Sequence, residues 1–485
     1  MAQKTIVSIE KRHEIGDISK NLFGSFLEHI GRAIYTGIYE PGHPMADPDG
    51  FRLDVIDAVR ELQVPLVRYP GGNFVSGYRW QDGIGSREER PRRLELAWHS
   101  IETNQVGIDD FATWAKNTGC DVMAAVNLGT GTPQDAADMV EYCNMEGGTY
   151  LSDLRKRNGN EMPHGFKYWC IGNEMDGEWQ VGHKTAEEYG RIAHETIKMM
   201  KWVDPTIEVS VAGSSLSNLP TCPEWDRIVL EHTYELTDYI SLHQYYGFKE
   251  GVDNVKDYLH TYLDLDGFIR TIIATADYVK ALKRSKKTMM LSLDEWNVWH
   301  QHLQGPLADE WAIAPAILEN QYDVKDALVF SAMMMTMINH ADRIKIGCLA
   351  QLVNVIAPIL TVPGGGMLKQ TIFYPYKAAC QYAKGKALKT DVVAERIETR
   401  YGEANVIYSA AAYQEDKGEL TLFLLNTSEN DVCTELKLDG FKNLTLKEHQ
   451  VLTGDLAVKN TFENPNNVTM VTKEKDKLYK KGETA

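Results

Sequence analysis

Short apolar runs alternate with amphipathic stretches from about residue 20 to residue 385. The runs have the length of strands and are apolar on both faces, as buried parallel strands are. They cover residues 21–30, 64–72, 121–129, 166–174, 207–214, 238–247, 287–296 and 345–355. Between them, apolar residues recur with helical spacing, for example over 51–63, 108–119, 132–144, 185–202 and 325–343. Eight such strands alternating with about eight helices predict a (β/α)8 TIM barrel, an α/β fold. A doubly wound open sheet is the competing fold, and the absence of a glycine fingerprint after the first strand favours the barrel.

After about residue 385 the pattern changes to the two-residue alternation of strands. Two strand-like runs flank a polar turn at 415–418, and apolar positions alternate again over 432–438. This pattern predicts an all-β C-terminal domain, a sandwich of the jelly-roll type. We therefore predict a (β/α)8 barrel with a C-terminal β-sandwich. The expected domains are an N-terminal strand at 1–15 that joins the sandwich, a catalytic barrel at 16–385 and the β-sandwich at 386–485.

Composition and charge narrow the classes of partner. The chain has 485 residues, of which 43% are hydrophobic and 25% charged, so it can bury a large core and is not disordered. Asp and Glu total 68 against 51 Lys and Arg, a net charge of −17, so we expect neither nucleic acid nor an anionic membrane as a partner. The first residues, MAQKTIVSIEKRHEIG, lack the apolar core of a signal peptide, and the seven cysteines are scattered without a CxxC motif. We therefore expect free thiols and a cytoplasmic protein.

Two glutamates follow apolar strands on the predicted barrel. Glu174 ends the fourth strand and Glu295 ends the seventh. Because catalytic side chains of such barrels project from the carboxyl ends of the strands, these two carboxyl groups can face each other across the rim. Glycoside hydrolysis requires a facing pair of carboxyl groups. When the two groups are about 5–5.5 Å apart the anomeric configuration is retained, and when they are about 6.5–9.5 Å apart it is inverted. Strand alternation predicts that Asp294, next to Glu295, points to the other side and is structural.

The remaining strand ends carry groups that suit a neutral carbohydrate. Polar planar side chains can bond to sugar hydroxyls, and aromatic rings can stack on sugar faces. Such residues end the first strand at Glu28 and His29, the second at 68–73, the sixth at 243–247, which includes His243, and the eighth at Gln351 and Asn354. The pair His300 and His302 could be taken for metal ligands, but no carboxylate stands at a zinc-site spacing. We expect no metal and no cofactor.

Six long stretches resemble the α-L-arabinofuranosidases of glycoside hydrolase family 51. They are FGSFLEHIGRAIYTGIYEP, VPLVRYPGGNFVSGYRWQDGIG, WCIGNEMDG, SLHQYYG, SLDEWNVW and AQLVNVIAP, in family order between about residues 23 and 358. The resemblance implies a retaining, exo-acting enzyme that removes terminal non-reducing α-L-arabinofuranosyl residues from arabinan- or arabinoxylan-derived oligosaccharides by double displacement. It also implies a homo-oligomer larger than a dimer, with a hexamer favoured.

The resemblance also implies roles for individual residues. Glu174 corresponds to the acid/base and Glu295 to the nucleophile. Residues that hold the terminal arabinofuranose correspond to Glu28, Arg68, Asn73, Asn173, Tyr245 and Gln351, and two aromatics at the mouth correspond to Trp98 and Trp299. Asn173 is implied to contact the sugar 2-hydroxyl, and Arg68 to orient the nucleophile.

Three alternatives to this function stay open at the level of sequence. A β-xylosidase or an endoglucanase would keep the barrel and both glutamates but change the sugar. A carbohydrate-binding protein without catalysis would keep the aromatic residues and need not keep both glutamates. A metal-dependent barrel hydrolase would lose activity with a chelator.

Overall fold

The computed structural model describes residues 5–305, 310–442 and 444–473. Residues 1–4 and 474–485, which belong to the predicted outer domains, and Pro306 to Asp309 and Asn443 lie outside the described residues. The strands in chain order are β1 (Thr5–Asp17), β2 (Gly24–Phe26), β3 (Leu66–Tyr69), β4 (Arg93–Glu95), β5 (Ser100–Glu102), β6 (Asp121–Val126), β7 (Tyr168–Ile171), β8 (Glu208–Val211), β9 (Tyr239–Tyr246), β10 (Met290–Val298), β11 (Ile344–Ala350), β12 (Ile359–Thr361), β13 (Met367–Lys369), β14 (Lys386–Val393), β15 (Arg396–Thr399), β16 (Gly402–Asn405), β17 (Ile407–Gln414), β18 (Glu419–Asn426), β19 (Thr434–Asp439), β20 (Gln450–Val451) and β21 (Val471–Thr472).

The helices lie mostly between the barrel strands, and several begin and end at the signals that the sequence carries. Thr132 caps α3 and Pro133 is its first residue, while α5 ends before the pair Asp204 and Pro205. In chain order they are α1 (Leu53–Leu62), α2 (Ile108–Thr118), α3 (Pro133–Asn144), α4 (Tyr150–Arg157), α5 (Ala186–Val203), α6 (Glu224–Thr233), α7 (Val255–Leu259), α8 (Tyr262–Lys283), α9 (Val324–Asn339) and α10 (Phe373–Tyr382). Among these helices of the described chain, none has both the length and the apolar character needed to cross a bilayer.

Eight parallel strands close into the predicted TIM barrel. Each of β2, β3, β6, β7, β8, β9, β10 and β11 pairs with the next, and β11 pairs with β2 to close the ring. Each of the eight apolar runs overlaps one of these strands, so the predicted barrel is confirmed. The closure brings the carboxyl ends of all eight strands to one rim.

The barrel core has an inner and an outer layer, as the alternation of strand side chains requires. In β6, Val122, Ala124 and Val126 join the large cluster that includes the surrounding helices, whereas Met123 and Ala125 join a smaller cluster of inward-facing side chains. The inner cluster includes Cys170 and Cys348, and all seven cysteines are free. The floor of the barrel beneath the rim is therefore packed with side chains and is not open to water.

The C-terminal part is rich in sheet, as expected. Its main sheet has five strands in the order β18-β17-β14-β1-β19, and two-stranded sheets form from β15 with β16 and from β20 with β21. The strand β1, which precedes the barrel, lies inside this sheet, antiparallel to β14 and parallel to β19. The predicted domain limits stay a prediction, and the last barrel helix α10 ends at Tyr382 shortly before β14 begins at Lys386.

Candidate active site

The carboxyl ends of the barrel strands carry polar side chains that contact one another in two groups, and the sequence singled out all of their members. In the first group Glu28 bonds to Trp98 and Gln351. The second group consists of Arg68, Asn73, Asn173, Glu174, His243, Tyr245, Glu295 and Trp299. All but Asn73, Trp98, Tyr245 and Trp299 are buried, and those four are half-buried. The two groups together form a pre-organised polar site at the rim.

Glu174 lies three residues beyond the end of β7 and is held by two donors. Its Oε1 lies 2.9 Å from Nδ1 of His243, and its Oε2 accepts a hydrogen bond of 2.7 Å from the indole N–H of Trp179. Burial raises the pKa of Glu174, and the negative charge of Glu295 raises it further, while the two hydrogen bonds work in the opposite direction. The balance favours a protonated carboxyl group.

Glu295 lies on β10 and is held by an arginine and a tyrosine. Its Oε1 accepts a 2.6 Å hydrogen bond from Nη1 of Arg68, which is a buried ion pair, and its Oε2 accepts a 2.9 Å bond from the hydroxyl of Tyr245. The guanidinium of Arg68 also donates to Oδ1 of Asn173 at 2.5 Å. Charge-assisted bonds of this kind stabilise the carboxylate form and fix its orientation.

The two glutamates are close enough to act on one bond. One carboxylate oxygen of Glu174, one of Glu295 and a ring nitrogen of His243 all lie within 4.8 Å of one another. Oxygens this close agree with the separation of about 5–5.5 Å between the carboxyl groups of retaining glycosidases. Burial and the charge of Glu295 raise the pKa of Glu174, whereas Glu295 is ion-paired with Arg68, so the two carboxyl groups lie in different environments.

His243 sits between three carboxyl groups. Its Nδ1 faces Glu174 and its Nε2 lies 3.0 Å from Oδ1 of Asp294. Burial alone would lower the pKa of His243, but the nearby Glu295, Asp294 and Glu174 raise it to about 10. Within the described residues, Glu174, His243 and Glu295 also have possible metal-ligand atoms close enough together to hold one ion. A metal there would have to displace the proton of His243, which the contacts with Glu174 and Asp294 stabilise.

Asp294 does not point away from the site, contrary to the alternation prediction. It is buried beside His243 and accepts a 2.5 Å hydrogen bond from Ser241. The pairing of β10 with β9 slips by one residue between Ser292 and Glu295, which is the pattern of a β-bulge. Because a bulge interrupts the alternation, both Asp294 and Glu295 can face the inside of the barrel.

A further buried carboxyl group, Glu28, closes the opposite side of the site. Its Oε1 accepts hydrogen bonds of 2.8 Å from the backbone of Phe74 and from the indole of Trp98, and its side chain and backbone both bond to Gln351. Burial, followed by the charge of Glu295, raises the pKa of Glu28 to about 8. At Gly72, an added Cβ would lie 2.3 Å from Oε2 of Glu28, so only glycine leaves room for this carboxyl.

Aromatic side chains line the mouth of the site. The ring of Trp299 meets Tyr245 edge-on with centroids 5.3 Å apart, and Trp98 is half-buried on the hairpin of β4 and β5. Sequence reasoning missed Trp179, which is 47% exposed and donates to Glu174. The available signal was its position five residues after Glu174 in the same loop.

Three of the polar residues that the sequence placed at or near the rim serve the fold. His29 bonds to Glu102 and to the hydroxyl of Tyr69, both at 2.8 Å. Asn354 donates to the backbone oxygen of Arg32, and His300 lies 3.2 Å from Asp326. Each of these side chains therefore ties a loop to the barrel.

The family models and the relatives that match this chain carry the same family description. A family model described as the alpha-L-arabinofuranosidase C-terminal domain matches residues 294–485, and one described as the alpha-L-arabinofuranosidase 1 domain matches residues 58–262. The chain is 52% identical over 452 residues to the intracellular exo-alpha-(1->5)-L-arabinofuranosidase 1 of Bacillus subtilis, which covers 93% of this chain and 90% of that protein.

Two further relatives come from Bifidobacterium longum. The chain is 45% identical over 475 residues to an exo-alpha-(1->6)-L-arabinofuranosidase, with 95% of this chain and 91% of the relative covered. The solved structure of a family 51 alpha-L-arabinofuranosidase superposes with a TM-score of 0.93 at 40% identity, covering 97% of this chain and 95% of the other.

Proposed function

Since the chain belongs to the α-L-arabinofuranosidases of glycoside hydrolase family 51, we propose that it removes terminal α-L-arabinofuranosyl residues with retention, using Glu295 as nucleophile and Glu174 as acid/base. Exo-action agrees with the names of its relatives. The observation that carries the assignment of roles is the pair of carboxyl groups within 4.8 Å, one bound by Arg68 and the other favoured in its acid form.

In the first half-reaction the glycosidic bond breaks. Glu174 transfers its proton to the leaving oxygen while an oxygen of Glu295 attacks the anomeric carbon, which forms a covalent glycosyl ester and releases the alcohol. Glu174 becomes ionised in this step. His243 and Trp179, which already donate to its two oxygens, then stabilise the new carboxylate.

In the second half-reaction water takes the place of the alcohol. The ionised Glu174 accepts a proton from water, the water oxygen attacks the anomeric carbon, and the ester bond to Glu295 breaks. Two inversions at one carbon give net retention. The short spacing supports this course because it leaves too little room for a water molecule between the carboxyl group and the sugar.

The rest of the pocket is proposed to hold the sugar. Asn173 is fixed by Arg68 and directs its amide group toward Asn73 at 3.4 Å, beside the reacting pair, which suits a contact with the 2-hydroxyl. Glu28, Gln351, Tyr245 and the indoles of Trp98 and Trp299 enclose the opposite side. A pKa of about 8 keeps Glu28 mostly protonated at neutral pH, so the site can receive an uncharged sugar without a second negative charge.

Substrate linkage, cellular place and assembly are the finer parts of the proposal. The name of the Bacillus relative supports α-(1→5)-linked arabino-oligosaccharides, and the name of one Bifidobacterium relative supports α-(1→6) links as the competitor. "Intracellular" in the name of the Bacillus relative supports a cytoplasmic enzyme. A homo-oligomer, with a hexamer favoured, completes the proposal.

Removal of each glutamate tests the proposal. Glu295→Ala is expected to abolish turnover on every substrate because no nucleophile remains. Glu174→Ala is expected to lose about 10²–10⁴-fold on oligosaccharides but far less on an aryl glycoside whose leaving group needs no proton. Azide is expected to restore turnover of Glu174→Ala and to give an adduct with the anomeric configuration of the substrate.

Two results would contradict the assignment. If both variants respond alike to leaving group and azide, the two roles are wrong. If the unmodified protein cleaves nitrophenyl β-xylopyranoside faster than nitrophenyl α-L-arabinofuranoside, the proposed sugar is wrong even though the roles stand.

A further inference from the structure

The loop that follows β7 carries Glu174 in an unusual backbone conformation. We call residues 174–184 the acid/base loop. Glu174 has a φ of +45°, in the left-handed region that residues with a side chain seldom adopt. Within the loop, the Gly177 N–H donates to the carbonyl of Glu174, and the Lys184 N–H donates to the carbonyl of Met175, both at 2.9 Å. A strained residue persists only where its surroundings hold it, so the anchors of this loop matter for the position of the carboxyl group.

Asp176 anchors the loop to the neighbouring strand. It is buried, and its Oδ2 accepts a 3.1 Å hydrogen bond from the backbone N–H of Ser215. The hydroxyl of Ser215 donates to the other oxygen, Oδ1. Ser215 is buried and lies just beyond the carboxyl end of β8, so both oxygens of Asp176 are held by one residue of the rim.

The preceding serine makes the same type of bond in another direction. Ser214 donates its N–H at 3.0 Å and its hydroxyl at 2.5 Å to the two oxygens of Asp226. Asp226 is a buried residue of α6 and is not part of the acid/base loop. Two adjacent serines thus bind two buried aspartates, of which one belongs to the barrel wall and the other to the loop that carries Glu174.

The acid/base loop also supplies the indole that touches Glu174. Trp179 donates to Oε2 of Glu174, and Gln180 reaches across the rim to the hydroxyl of Ser76. A shift of the loop at Asp176 would therefore move the acid, its strained backbone and one of its two donors together. The nucleophile Glu295 is held by Arg68 and Tyr245, which lie on other strands, so such a shift would leave it in place.

We propose that Asp176 and Ser215 are positioning residues for the carboxyl group of Glu174, acting on proton transfer to the leaving group. The inference rests on the proposed role of Glu174 as acid/base. Its specific consequence is that weakening the pair slows only those reactions that need the proton. A pair that merely stabilised the fold would affect all substrates alike.

The test uses the full chain and a series of aryl α-L-arabinofuranosides, from dinitrophenyl to phenyl leaving groups. For Ser215→Ala, kcat/KM is expected to fall about tenfold or more with phenyl and to change little with dinitrophenyl, because general acid catalysis contributes about 10²–10⁴-fold in total. Asp176→Asn is expected to show the same trend more strongly. The matched control is Ser214→Ala, for which the ratio of the two rates is expected to stay at the wild-type value.

The outcomes separate this inference from the proposal on which it rests. Equal losses with both leaving groups, or no loss with either, in Ser215→Ala and Asp176→Asn would overturn the positioning role. A leaving-group trend in Ser214→Ala equal to that in Ser215→Ala would overturn it as well. If Ser215→Ala does not fold, Asp176→Asn supplies the same comparison. If Glu174→Ala itself lacks the leaving-group trend, the proposed function fails, and the inference falls with it for that separate reason.

Discussion

The indole of Trp179 allows a direct test of what determines the pKa of Glu174. Its N–H donates at 2.7 Å to Oε2 of Glu174, and a donor of this kind stabilises the ionised carboxylate more than the acid. The hydrogen bond therefore lowers the pKa of Glu174 against the upward effects of burial and of Glu295. Trp179→Phe keeps an aromatic ring and removes this donor, so the pKa of Glu174 is expected to rise.

The size of the rise follows from the exposure of the indole. A hydrogen bond to a charged group contributes about 1.5–3 kcal/mol when buried, and 1.36 kcal/mol corresponds to about one pKa unit. Trp179 is 47% exposed, so water can replace part of the lost bond, and we expect about half of that effect or less. The expected rise is therefore at most about 1 pKa unit.

The pH dependence of kcat/KM measures this shift. Glu174 acts in its protonated form, so activity is lost as the pH rises through its pKa, and a raised pKa moves the basic limb to higher pH. Trp202→Phe is the matched control, since Trp202 is 76% exposed near the end of α5, and its profile is expected to equal that of the unmodified enzyme. An unchanged basic limb in Trp179→Phe, or a shift to lower pH, would refute the reasoning.

Two further predictions concern the site and the assembly. Gly72→Ala is expected to push Glu28 aside, because its Cβ would lie 2.3 Å from Oε2, and to cost about 1–3 kcal/mol of stability along with most of the activity. Thermal unfolding and steady-state kinetics check this, and kinetics like those of the unmodified enzyme would contradict it. A homo-oligomer of the 54.7 kDa chain is expected in light scattering coupled to size exclusion, and a single monomeric peak at micromolar concentration would contradict it.

The barrel could be predicted because buried parallel strands appear in the sequence as short, continuous apolar runs. Runs such as 121–129 and 166–174 are apolar on both faces, and the strands Asp121–Val126 and Tyr168–Ile171 lie within them. The same logic located Glu174 and Glu295, because a residue at the end of such a run must reach the rim. Strand lengths were less predictable: the run 21–30 contains only the three-residue strand Gly24–Phe26, since the chain then turns toward the pocket.

The features that escaped prediction depend on contacts between distant segments. The inward direction of Asp294 arises from a slip in the pairing of two strands, and no alternation within one strand can reveal it. His29 follows the pocket residue Glu28, but Glu102 and Tyr69 from other parts of the chain determine where its ring goes. Trp179 reaches Glu174 only because the loop returns over the rim, and a loop has no periodic signal.

The place of β1 in the C-terminal sheet has a consequence for how the protein is made. Ile6 pairs with Val393 and also with Glu435, so β1 is synthesised before the barrel but finds its partner strands only after the barrel has been synthesised. During synthesis the barrel can assemble in sequence order, while β1 remains an unpaired apolar edge. We therefore expect the β domain to be the last part to form, and a fragment that begins at Lys386 to lack a central strand of its own sheet.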